Sequence, residues 1–74
     1  MKISELQKKI GDRVRIIRES KGITQQDLAA ACNFEKANMS RIEAGRTNPT
    51  VSTLFKISQA LNVSLSELIN VEAS

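Results

Sequence analysis

The sequence of 74 residues has no histidine, tryptophan or tyrosine, and only one cysteine, one proline, three glycines and two phenylalanines. Without histidine, and with Cys32 alone, there is no Cys/His ligand set for zinc, no Cys–His nucleophile and no Ser-His-Asp triad. Cys32 cannot close an internal disulfide, and nothing adjacent lowers its pKa, so it reads as a small packed thiol. Phe34 and Phe55 are too few to form stacking platforms for single-stranded nucleic acid. No apolar run approaches the roughly 18 residues of a membrane span, and residues 1–10 are too charged for a secretory signal; the expectation is a cytoplasmic chain with no membrane partner. No paired carboxylates, glycine-rich phosphate loop or metal-ligand cluster is visible. The chain is therefore not expected to be an enzyme, and no cofactor or metal is called for.

What is present is an ordinary globular balance, 41% hydrophobic and 26% charged, in a length that fits one domain, residues 1–74. The net charge of +3 is unevenly spread. Residues 1–50 carry ten Lys/Arg against six Asp/Glu, whereas residues 51–74 carry Lys56 against Glu67 and Glu72. A basic front and a neutral-to-acidic rear point to a polyanionic partner for the front only.

The segment boundaries are strongly marked. Gly22, Asn33, Gly45 and Asn62 each follow a helix-compatible stretch and are of the two residue types that accept the left-handed conformation past a helix end. Thr24, Thr50 and Ser64 precede new apolar-periodic runs and can cap them, Ser64–Glu67 as a capping box. Ile23 with Leu28, Phe34 with Met39, and Val63 with Leu68 have hydrophobic-staple spacing. This predicts an all-α chain of five helices, over about 4–21, 25–32, 36–44, 51–61 and 65–71. Leu6, Ile10, Val14 and Ile17 form the apolar face of the first helix. Leu28 and Cys32 do so for the second, Met39 and Ile42 for the third, and Val51, Leu54, Ile57, Ser58 and Leu61 for the fourth. Gly11, inside the first helix, is explained by close approach of another helix. Lys8, Lys9, Arg13, Arg15 and Lys21 are placed on the outer side of that helix.

Two short helices separated by Cys32-Asn33-Phe34 must cross steeply, which is a helix-turn-helix over about 24–44. On a wheel of the third helix, Met39 and Ile42 point inward. The opposite face carries Ala37, Ser40, Arg41 and Ala44, with Lys36 and Asn38 at its edges. Short side chains allow close approach to a groove wall. Lys and Arg suit guanine edges, Asn suits adenine, and Ala suits a thymine methyl.

From Ile10 to Ile69 the chain resembles the Cro/C1-type helix-turn-helix proteins (also called the xenobiotic-response-element family). The resemblance rests on Ile10–Arg15, Gly22-Ile23-Thr24-Gln25-Gln26-Asp27-Leu28-Ala29, Ser40-Arg41-Ile42-Glu43-Ala44-Gly45, Pro49-Thr50-Val51, and Val63–Leu68. It implies a compact five-helix, lambda-repressor-like fold and a partner in double-stranded DNA. It also implies that Lys36, Ala37, Asn38, Ser40 and Arg41 read bases, that Gln25, Arg46, Thr47 and Asn48 touch the DNA backbone, and that Arg18 and Glu43 form a structural pair. Two positions depart from the family pattern: Asn33 stands where glycine is common, and Glu35 caps the third helix where Ser or Thr is common.

The function this implies is sequence-specific regulation of transcription, as a repressor for instance, from a palindromic operator bound by a homodimer. Leu65, Ile69 and Val71, near the end of the chain, are the expected dimer contacts. The alternative is a protein-interaction module on the same fold, such as an antitoxin that holds a toxin.

Overall fold

The computed structural model describes residues 1–71. Five helices follow one another: α1 Ile3–Ser20, α2 Gln25–Ala31, α3 Lys36–Glu43, α4 Val51–Leu61 and α5 Leu65–Leu68. Among the described residues there is no strand.

Local chemistry sets the boundaries. Thr24 Oγ1 accepts from Asp27 N at 3.0 Å, Thr50 Oγ1 from Thr53 N at 3.1 Å, and Ser64 Oγ from Glu67 N at 3.1 Å. Each satisfies an amide that a helix start leaves without a partner, a contribution of about 1 kcal/mol. Glu35 opens α3 without a side-chain cap bond. Gly22, Asn33, Gly45 and Asn62 all have φ between 58° and 73°. Around each, the same pair of bonds closes the preceding helix, as with Asn33 N to Ala30 O at 3.1 Å and Phe34 N to Ala29 O at 2.8 Å. This is the Schellman arrangement, in which a left-handed residue turns the last amides back onto free carbonyls.

The helices enclose one core. Val14 and Ile17 of α1 meet Leu28 and Ala29 of α2, Met39 and Ile42 of α3, Leu54, Ile57 and Leu61 of α4, and Leu68 of α5. Cys32 is part of it, and Ile10, Ile23, Phe34, Val63 and Leu65 pack around its edge. α1 crosses the end of α3 at Gly11. A Cβ on Gly11 would lie 2.5 Å from Ile42 O and 2.6 Å from Glu43 O, so only glycine allows the two backbones this close.

The structure corrects four sequence expectations. Leu6, assigned to the core face of α1, is exposed, because the first turns of α1 project past the elements it packs on. Val51, assigned to the core face of α4, is 72% exposed, since it is the first residue of that helix and precedes the buried run. α5 ends at Leu68 instead of about 71. The last i→i−4 bond is Ile69 N to Leu65 O; Val71 N donates to Ile69 O, and Arg13 Nε bonds the Glu67 carbonyl at 2.9 Å. By the same bond, Arg13, placed on the outer side of the first helix, is half-buried and turned toward α5.

Candidate nucleic-acid interface

α2 and α3 are joined by Cys32, Asn33 and Phe34, and the left-handed Asn33, with φ 59°, makes the reversal. Met39, Ile42 and Glu43 are buried and fix which face of α3 is turned inward. Lys36, Ala37, Asn38, Ser40, Arg41 and Ala44 are all exposed. Lys36, Asn38, Ser40 and Arg41 form no side-chain hydrogen bond or ion pair among the described residues. The face therefore presents short side chains and donors not committed among the described residues. Beyond α3, Arg46 and Asn48 are exposed and Thr47 is half-buried. Arg46 N donates to Arg41 O at 2.9 Å, which ties the loop to the last turn of α3.

Behind this face lies a polar cluster that joins three helices. Arg18 donates from Nε to Glu43 Oε2 at 2.7 Å and from Nη2 to Glu43 Oε1 at 3.1 Å. Its Nη1 donates to Ile23 O at 2.8 Å. Only 4% of the Glu43 side chain and 11% of that of Arg18 is exposed, so neither ion reaches toward a partner. The bonds to Glu43 hold the Arg18 pKa above its ordinary value, against the opposing effect of burial. Gln25, the first residue of α2 and half-buried, donates from Nε2 to Glu43 Oε1 at 3.1 Å. The sequence reading treated Gln25 and Glu43 separately. They are 18 residues apart on different helices, and no local pattern joins them.

The remaining charges of α1 are mostly paired along the helix. Lys8 bonds Asp12 at 2.6 Å, and Arg15 bonds Glu19 at 3.2 Å and approaches Asp12 at 3.7 Å. Lys8 is the main cause of the lowered Asp12 pKa. On α3 and the loop that follows it, Lys36, Arg41 and Arg46 are exposed cations without an ion pair among the described residues.

Leu65, Ile69 and Val71 differ in availability. Leu65 packs against the core of its own chain, Val71 is half-buried, and Ile69 is 41% exposed. On α4, which packs against α5, Val51 and Phe55 are also exposed. No helix among the described residues is long and apolar enough to cross a membrane.

The helix-turn-helix family model matches residues 14–68. An uncharacterised HTH-type transcriptional regulator, y4dJ of Sinorhizobium fredii, is 40% identical over 88% of this chain and 84% of its own length. The immunity repressor of Bacillus phage phi105 is 33% identical over 85% of this chain, and the match spans only 44% of that protein. Among solved structures, the restriction–modification controller protein C.AhdI of Aeromonas hydrophila superposes with a TM-score of 0.82 at 30% identity, over 86% of this chain and 96% of that one. The chain belongs to the Cro/C1-type helix-turn-helix family of DNA-binding transcriptional regulators.

Proposed function

We propose that the chain represses or otherwise regulates transcription by binding a palindromic operator in duplex DNA as a homodimer. The observation that carries this reading is the outer face of α3, where Lys36, Asn38, Ser40 and Arg41 stand exposed without side-chain partners among the described residues. Lys36, Ala37, Asn38, Ser40 and Arg41 read base edges in the major groove. Gln25, Arg46, Thr47 and Asn48 hold the sugar–phosphate backbone and set the register. One short recognition helix spans too few base pairs for an operator, so two copies supply two half-sites about 34–36 Å apart.

The exposed side chain of Ile69, with Val51 and Phe55 on the adjoining helix, supports a second copy as the other half of the assembly. A two-fold contact there brings together segments of little net charge, whereas a contact through the basic front would repel. Leu65, already packed inward, adds less to such a contact than Ile69.

The test is selection from random duplex DNA, with sedimentation of the same protein. A palindromic motif and a dimer at tens of micromolar are expected. Ile69→Asp is expected to give a folded monomer with much weaker operator binding. Failure to enrich any motif at moderate salt would favour the protein-interaction alternative, an antitoxin for instance, and a wild-type monomer would remove the dimer.

A further inference from the structure

We propose that Glu43 is a positioning residue for DNA binding: its buried carboxylate orients the Gln25 carboxamide before DNA arrives. The inference rests on the reading of Gln25 as a backbone contact. Glu43 Oε1 accepts from both Arg18 Nη2 and Gln25 Nε2, each at 3.1 Å, while Oε2 accepts from Arg18 Nε at 2.7 Å. Arg18 directs one donor from each of its three nitrogens to Glu43 or Ile23 O, so it serves the interior. Gln25 is only half satisfied. One Nε2 proton points inward to the carboxylate, and the other is left for an outside acceptor.

The carboxylate decides two things about Gln25. It accepts hydrogen bonds only, so it selects the amide orientation that turns nitrogen inward and excludes the flipped one, which would set two oxygens against each other. It also holds a flexible side chain in one rotamer, so that ordering does not have to occur on binding. Because Glu43 is the last residue of α3 and Gln25 the first of α2, the backbone anchor and the reading helix are set in register by one group. Arg18 supplies the cation that pairs with that group inside the chain, Nε to Oε2 at 2.7 Å.

The test begins with the free wild-type protein. By NMR, the Gln25 side-chain NH2 is expected to be rigid and its two protons well separated in shift, unlike those of the exposed Gln26 and Gln59. A Gln25 amide as mobile as Gln26 overturns the proposal without any variant. Next, operator affinity is measured for Gln25→Ala in wild type and in an Arg18→Met/Glu43→Leu background, which removes both charges together and leaves neither buried ion unpaired. Gln25→Ala is expected to weaken wild type about tenfold and the background less than twofold, with the background itself weakened about tenfold. Equal losses in both, or no loss in wild type, overturn the proposal. If the background does not fold, the NMR measurement decides alone. Wild type that binds no duplex DNA sinks the functional reading itself, a result distinct from intact binding without coupling.

Discussion

Arg13 of α1 donates from Nε to the main-chain carbonyl of Glu67, 54 residues away, at 2.9 Å, and so ties α1 to the end of α5. A guanidinium on a C-terminal carbonyl is favourable for the bond and for the helix dipole together. The bond is near the surface, so its worth is about 0.5–1 kcal/mol. Arg13→Met should lower stability by that amount and speed hydrogen exchange at residues 68–71 more than in α2 or α3. Uniform exchange changes across the chain would show that the bond does not act locally.

The close crossing of α1 over the end of α3 makes Gly11→Ala informative. A methyl at this site meets main-chain carbonyls of Ile42 and Glu43, which cannot rotate away as a side chain would. Overpacking of this kind costs about 1–3 kcal/mol, and the better helix propensity of alanine returns about 1 kcal/mol. A net loss of up to about 2 kcal/mol is expected in urea unfolding. A stabilised variant would mean that α3 moves away from α1 freely.

Much of this fold was legible because its boundaries are local. Thr24, Thr50 and Ser64 act on amides three residues away, and Asn33 and Asn62 are left-handed through their own dihedrals. Periodicity identified the core face of α3 for a similar reason, since Met39 and Ile42 fall within one turn. It misjudged Leu6 and Val51 because a pattern along one helix does not say where its neighbours end. The Arg13–Glu67 and Gln25–Glu43 bonds, 54 and 18 residues long in sequence, are products of the tertiary packing. The outer face of α3 was legible as a donor-rich surface, but its isolation from intramolecular partners required the structure.

Cys32 offers a pH test of burial. Its side chain lies in the core, and desolvation pushes the thiol above its ordinary value of 9.0, with Lys56 opposing more weakly. The unfolded thiol then ionises before the native one. Stability from this group is whole below pH 9 or so and falls as pH rises through the native pKa. Unfolding free energies of wild type and Cys32→Ala from urea titration should differ by a constant of about 1 kcal/mol near neutrality, from the lost packing. Above pH 9 the wild type should decline more steeply. Parallel curves throughout the alkaline range would show that the native thiol ionises as the unfolded one does.

Arg41 and Arg46 should separate reading from holding. Both are exposed cations without an ion pair among the described residues, but Arg41 is on the outer face of α3 and Arg46 is in the loop after it. Arg41→Ala is expected to cost about 1–3 kcal/mol on the preferred operator and to relax the choice of base at one position in each half-site. Arg46→Ala should instead weaken every duplex alike, because a phosphate contact acts by releasing counterions and carries no base information. For a dimer whose subunits each neutralise about two to four phosphates, the log–log dependence of affinity on salt should be roughly −4 to −7. Arg46→Ala should make that slope shallower by about one for each subunit, and Arg41→Ala should leave it nearly unchanged. Binding selections and salt titrations on the two variants check both expectations. An Arg41 variant that keeps the full wild-type motif while losing salt dependence would exchange the two roles, moving the base contact off the last turn of α3.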